Sequence, residues 1–275
     1  MKGHSKSLPS TLYSRQYYLR FCGGYDEFSA GEIPTRLRLA LSYGQLGEGM
    51  NVLDIGCGRG ELAIGCAELG CSVSGVDYSF EALTLAEEFT SSSFKRKIQE
   101  RIRLQQMNAK QLAFAPRTFD RVFLIDVVEH LYPEELERVF REVKRVIKPG
   151  GRVIVHTAPN AWLIRPIYFI AGLLFGWRKH PYHVNEQSYF SLRSNLRQLE
   201  GKASATIIPT SGFFRLGVGP ETDPSSLRGA IARVADGILD YPAVRSLVTG
   251  TPLKLILGTD LWATIDFPKA ERAKE

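Results

Sequence analysis

From position 51 onward, short apolar runs bounded by turn residues alternate with stretches of helical spacing. Asn51-Val52-Leu53-Asp54-Ile55 is β-rich and nearly continuous in apolar character, which predicts a strand buried on both faces. Further strands are predicted near 72–76, 102–106, 121–125 and 152–156, with helices over 61–69, 80–100 and 134–146. In the last of these, Leu136, Val139, Phe140, Val143 and Ile147 fall on one face. Strand and helix in regular alternation imply a parallel sheet with right-handed crossovers. Upstream, Tyr13 to Phe21 has helical spacing and dense aromatics, and Ile33 to Leu46 is an amphipathic helix closed by Gly47 and Gly49. Downstream, 188–199 reads as a helix, 205–208 and 261–265 as two more strands, and 226–239 and 240–251 as helices. Residues 1–12 read as a flexible lead, and the segment after Phe267 as a charged, frayed tail.

The first strand runs into Gly56-Cys57-Gly58-Arg59-Gly60, and Glu61 then opens a helix. The glycines let the backbone turn sharply and pass close to a ligand, while the helix N-terminus points free N–H groups back at the turn. The spacing is G-x-G-x-G, whereas the dinucleotide fingerprint is G-x-G-x-x-G. Asp54 at the strand end would repel a pyrophosphate and suits a cation. The second strand ends in Asp77, placed to accept from both hydroxyls of a ribose. A ribose ligand that carries positive charge and no phosphate describes S-adenosylmethionine.

With these motifs in register, the chain resembles the class I S-adenosylmethionine-dependent methyltransferases of the type 11, small-molecule kind. The match runs from about Gly49 to Asn160: Val52 to Glu61, Gly75-Val76-Asp77-Tyr78-Ser79, Met107-Asn108-Ala109 with Leu112 and Phe114, Phe119 to Leu131, and Lys148-Pro149-Gly150-Gly151. The resemblance implies a doubly wound, Rossmann-like α/β fold. Its seven-stranded sheet is expected to be mostly parallel with an antiparallel last strand, with helices ahead of it and a cap segment after strand five. It also implies one methyltransferase domain over 1–275. Within it, 1–46 is an N-terminal helical cap, 47–160 the cofactor core, 161–187 an apolar cap, 188–267 the rest of core and cap, and 268–275 the tail. By the same resemblance, Asp54, Gly56, Cys57, Gly58 and Gly60 meet the methionine part of the cofactor. Asp77 holds the ribose and Tyr78 lies on the adenine. Asn108 and Ala109, where the family commonly has Asp-Ala, face the adenine edge, and Asp126 and Val127 line the site. Tyr17, Tyr18 or Tyr25 are candidates to cover the cofactor.

Asp126, Glu129 and His130 stand at i, i+3 and i+4, and share a face if a helical turn begins there. Three readings stay open. Asp126 lines the cofactor while Glu129 and His130 fix the loop; His130, with Glu129 beside it, is the general base for a hydroxyl acceptor; or the three hold a divalent cation. The expected site contains no metal. No Asn/Asp-Pro-Pro-aromatic stretch stands at this point, which argues against a nucleic-acid amino acceptor. His156, His180 and His183 are candidates to reach the acceptor.

Composition narrows the remaining classes. The net charge is +6, with Lys95, Arg96, Lys97, Arg101 and Arg103 the densest basic cluster; interspersed acids mark it as a solvated face rather than a nucleic-acid surface. Cys22, Cys57, Cys66 and Cys71 form no C-x-x-C pair and read as reduced thiols, and Met1 to Lys6 leads into no signal sequence, so a cytoplasmic protein is expected. Trp162 to Trp177 is apolar and aromatic, interrupted by Arg165 and Pro166. It reads as a substrate lid or, alternatively, as a patch with weak membrane-surface contact through 162–180. The expected activity is methyl transfer to an O or C atom of a small-molecule, glycan or lipid-like acceptor, with S-adenosylhomocysteine released. The alternatives are a catalytically silent S-adenosylmethionine-binding sensor or partner subunit and, against the glycine spacing, a nicotinamide oxidoreductase.

Overall fold

The computed structural model describes residues 7–93, 96–175, 181–200, 204–210 and 241–269, together with positions 230, 234, 237 and 238. A 3₁₀ turn at Ser10–Leu12 leads into α1 (Arg15–Arg20), α2 (Tyr25–Ser29) and α3 (Thr35–Gly44). The core then alternates as read from the sequence: β1 (Asn51–Ile55), α4 (Glu61–Glu68), β2 (Ser72–Asp77), α5 (Phe80–Ser93), α6 (Arg96–Gln99), β3 (Ile102–Gln106), β4 (Phe119–Ile125), α7 (Pro133–Val146) and β5 (Ile147–Thr157). After it come α8 (Ala161–Phe175), α9 (Tyr189–Glu200), β6 (Ser204–Thr210), α10 (Pro242–Gly250), α11 (Lys254–Leu257) and β7 (Asp260–Asp266). The helix expected over 226–239 lies almost wholly outside the described residues, as do His180 and the tail beyond Lys269.

The seven strands form one sheet in the order β3-β2-β1-β4-β5-β7-β6. β1 to β5 pair in parallel, and β7 lies antiparallel between β5 and β6. Strand order reverses beside β1, so the carboxyl ends of β1, β2 and β4 open onto a common crevice. Apolar side chains cover both sheet faces. One layer packs Leu136, Val139, Phe140 and Val143 of α7 with Leu192 and Leu196 of α9 onto the sheet; the other packs Leu37, Leu62, Ala63 and Cys66 against Val52, Phe123 and Trp262. Phe140 is fully buried, and truncation to alanine would cost about 3–5 kcal/mol. α7 starts cleanly because Pro133 stands in its first turn and the Glu135 carboxylate accepts from the Tyr132 N–H at 3.1 Å.

Two boundaries differ from the sequence reading. Ile147 belongs to β5 rather than to the apolar face of α7. It pairs with Phe119, after which Lys148 to Gly151 bulge out before Arg152 pairs with Arg121. A periodicity cannot distinguish a last helical residue from a first strand residue when both are buried. Pro166 does not break the apolar stretch, which forms the single helix α8 with the proline inside it.

Candidate active site

A cavity of about 540 Å³ opens at the carboxyl ends of the strands. Its walls combine the β1 turn (Asp54, Gly56, Gly58), the β2 end (Asp77, Tyr78), Asn108 and Ala109, and the β4 end (Asp126, Val127, Glu129, His130). Tyr13, Tyr17, Tyr18 and Arg36 close it from the N-terminal side, and His156, Tyr168, His183 and Asp260 from the other.

The glycine turn is set by geometry that other residues resist. Gly56 has φ 72°, and a Cβ there would come within 2.6 Å of Val127. Gly58, at φ 51°, donates its N–H to Asp77 Oδ2 at 3.1 Å, and the Ser79 N–H holds Oδ1 at 2.9 Å. These backbone donors fix the Asp77 carboxylate and oppose the upward pull of burial, which leaves its pKa at about 6. Asp54 has no such relief. It is 2% exposed, its Oδ2 has no hydrogen-bond partner, and burial, with Asp77 and Glu61 nearby, raises its pKa to about 8. A buried carboxylate in this state is a receptor for a cationic donor. This half of the cavity therefore suits a ligand that carries an ammonium group and a vicinal diol.

Cys57 and Gly60, expected in the same site, do not line the cavity. Cys57 is buried against Gly75, and Gly60 caps α4 with its open side toward Ala86 of α5. Asn108 lines the wall, with its Oδ1 accepting from the Lys110 N–H at 3.0 Å. Tyr17 and Tyr18 cover the cavity as expected candidates, joined by Tyr13, whereas Tyr25 packs near Phe89 and beneath the Arg59 guanidinium.

Arg59 explains how the N-terminal segment is held down. Its guanidinium pairs with buried Glu61 at 2.5 Å and donates to the carbonyls of Tyr18, Cys22 (3.1 Å) and Gly23 (3.0 Å). One charged side chain inside the glycine turn thus fastens the covering tyrosines over the cavity.

The Asp126, Glu129, His130 triplet is divided by the structure. Asp126 sits at φ 57° and turns to Arg36 and His156, with His156 Nδ1 at 2.5 Å from Oδ1. The other face of His156 looks toward Asp260, 3.6 Å away, and burial holds this histidine below its ordinary range. Glu129 and His130 occupy a 3₁₀ turn and point elsewhere. Glu129 Oε2 accepts from Thr157 Oγ1 at 2.8 Å, and burial raises its pKa to about 7. His130 shares its Nδ1 with the Tyr182 carbonyl at 3.0 Å. A carbonyl only accepts, so Nδ1 carries the proton and Nε2 keeps a lone pair. Burial lowers the His130 pKa to about 4, so the ring is neutral at physiological pH. His183 stands beside it, ring centroids 5.1 Å apart. Donor atoms of Glu129, His130 and His183 lie within 4.8 Å of one another, so the sequence triplet is replaced by a spatial one that leaves out Asp126. The loop carrying His183 is tied to this corner, since the Val184 and Asn185 N–H groups both donate to the Glu129 carbonyl.

Arg36, Arg59, Tyr182 and Asp260 were not singled out by sequence reasoning. Arg36 follows the same helical pattern as Arg38, which lies exposed on the surface; nothing local separates them.

Comparison with known proteins places this geometry among relatives. A family model described as a methyltransferase domain matches residues 53–155. The chain is 35% identical over 163 residues to the ubiquinone biosynthesis O-methyltransferase of Paraburkholderia phymatum, covering 59% of this chain and 67% of that one. It is 30% identical over 195 residues to the protein of the same name from Aliivibrio fischeri, covering 70% and 79%. Against the namesake from Rhizobium etli the alignment spans only 42% of the relative. Among solved structures, a SAM-dependent methyltransferase of Methanosarcina mazei shares the fold with a TM-score of 0.56 at 20% identity, covering 85% of this chain and 98% of that one.

Proposed function

The chain belongs to the class I S-adenosylmethionine-dependent methyltransferases, and on that premise we propose that it methylates an O or C atom of a small apolar acceptor, lipid-like or glycan-linked, and releases S-adenosylhomocysteine. The observation that supports the cofactor assignment best is the unpartnered, buried Asp54 oxygen sharing one cavity with the backbone-anchored Asp77 carboxylate. The residues present fit the cofactor at each charged point. Asp54 meets the amino group, and Asp77 accepts from the ribose hydroxyls. Tyr78, Asn108 and Ala109 face the adenine, while Gly56, Gly58 and Val127 give it backbone contact and shape. The carboxylate needs a cation. Of the three Lys and Arg side chains that line the cavity among the described residues, Arg59 is committed to Glu61 and three carbonyls, and Lys110 to Glu135 at 2.5 Å. That leaves Arg36, which exchanges Asp126 for the cofactor carboxylate.

When bound, the cofactor supplies a methyl group already activated by its sulfonium. The protein's own task is to align the acceptor, exclude water and take up a proton. His130 is the base we assign: its Nε2 accepts the acceptor's hydroxyl proton, while the Tyr182 carbonyl holds the tautomer. Glu129, held by the Thr157 hydroxyl, is a positioning residue beside His130 and leaves the acceptor's single hydroxyl proton to Nε2. No step requires a metal. Residues 7–46, 161–175 and 181–187 form the cap over this chemistry, and four free thiols accord with a reducing, cytoplasmic setting.

Incubation of the protein with methyl-labelled S-adenosylmethionine and a panel of hydroxylated apolar compounds tests the reading. Label transfer to such compounds, in preference to free sugars, is expected. Cofactor binding without transfer to any acceptor would favour the silent sensor instead.

A further inference from the structure

Helix α8 has two apolar stripes. Ala161, Ile164 and Tyr168, at i, i+3 and i+7, face inward: the first two are buried and Tyr168 lines the cavity. Trp162, Phe169 and Leu173, at i, i+7 and i+11, form the opposite stripe and are 43%, 75% and 79% exposed. The outer stripe continues across neighbouring elements. Phe190, at the start of α9, lies 5.1 Å from Trp162 between ring centroids, and Leu253, which caps α11, and Ile256 within it complete an exposed apolar surface. Such a surface, rimmed by charge, marks an interaction site.

The charge identifies the occupant. The segments 161–175, 189–199 and 251–257 contain Arg165, Arg193, Arg197 and Lys254, and no Asp or Glu stands in them before Glu200 at the far end of α9, in a chain holding 29 acidic residues. Arg165 is 66% exposed, at the edge of its reach to Glu186. A second copy of the chain would set these same bases against themselves across a two-fold axis. An anionic lipid surface complements both the apolar stripe and the bases. No helix among the described residues is long and apolar enough to cross a membrane. α8, about 22 Å long, has instead the length and sidedness of a helix lying in the headgroup region.

We propose that α8, the start of α9 and the 251–257 turn dock on an anionic membrane surface, with the inner stripe of α8 forming the wall through which a lipid-dissolved acceptor reaches the cavity. The docking stands by itself; the delivery of an acceptor rests on the proposed methyltransferase reading.

Flotation of the full chain with vesicles of phosphatidylcholine, with and without a third of phosphatidylglycerol, is the test, run beside Phe169→Glu/Leu173→Glu. Both substituted side chains are exposed and touch no part of the cofactor site, so calorimetric titration with S-adenosylmethionine serves as the control for folding. The wild-type chain is expected to float with the anionic vesicles and to release at high salt. The double variant should bind them at least roughly tenfold more weakly while its cofactor affinity is unchanged. Absence of wild-type flotation, or equal flotation of the variant, would overturn the proposal. So would a wild-type dimer that the double variant dissolves without vesicle binding in either protein, since the face would then belong to a second copy. Loss of cofactor binding in the wild type would count against the enzymatic reading and leave the docking result intact.

Discussion

Asp54 and Asp77 reach the cavity from adjacent strands whose register sets Asp54 opposite Gly75, and the carboxylate of one is held by the backbone of the turn that follows the other. Across the cleft, His130 depends on a carbonyl at position 182, Glu129 on a hydroxyl at 157, and Asp126 on Arg36 and His156. Apart from Arg36, which we assign to the cofactor carboxylate from α3, the cofactor side is thus a short-range construction, made by strand ends and one glycine turn. The acceptor side is assembled from four separated segments. Short-range geometry survives the loss of a distant residue, whereas an assembled corner transmits every change into the groups it positions.

That contrast can be broken experimentally. The largest effect is expected from His130→Ala, which should lower kcat by roughly 10²–10⁴-fold and leave the cofactor dissociation constant unchanged. Single-turnover kinetics with calorimetry separates the two quantities. A parallel loss of cofactor affinity would mean that the two sides are not independent. Arg36→Ala comes next. Losing a charge-assisted contact worth about 1.5–3 kcal/mol should weaken cofactor binding by roughly 10–100-fold. Arg36→Lys should recover only part of it, because a point charge does not reproduce the two-pronged guanidinium.

A third test concerns protons. Burial, with Asp77 and Glu61 nearby, moves the Asp54 titration from 3.8 to about 8. Its protonated form therefore favours folding below 3.8, and that contribution is lost as pH rises through 8. A cationic ligand reverses the preference, so cofactor binding at pH 7 should release close to one proton and strengthen as pH approaches 8. Titration calorimetry in buffers of different ionisation enthalpy measures the release, and Asp54→Asn should abolish it. The smallest effect expected is none: dialysis against a chelator should leave turnover unchanged although Glu129, His130 and His183 stand close together. Recovery of lost activity by a divalent cation would instead assign these three to a metal.

The same division governs what the amino-acid sequence made legible. That Asp54, Gly56, Gly58 and Asp77 would line one cavity could be read in advance because strand, turn and helix start are consecutive in the chain, and their physics is local. Cys57 and Gly60 were drawn into the site by the same motif, although the pleat turns Cys57 toward Gly75 and helix capping turns Gly60 toward Ala86. Spacing also grouped Asp126 with Glu129 and His130. The left-handed backbone at Asp126 breaks the common face, and His183 enters from a loop more than fifty residues away. Arg36 carried no signal, since its role comes from where α3 lies rather than from its neighbours in sequence. The apolar run after strand five was visible as a run, but only the helix shows that one stripe lines the cavity while the other faces outward.

The central claim is that the β1 and β2 ends hold S-adenosylmethionine, and calorimetric titration of the wild-type chain beside Asp77→Ala tests it most directly. Saturable micromolar binding is predicted for the wild type, with affinity reduced roughly 100-fold in the variant, as two hydrogen bonds to a carboxylate imply. Absence of binding by folded wild-type protein, or equal binding by the variant, would contradict the account.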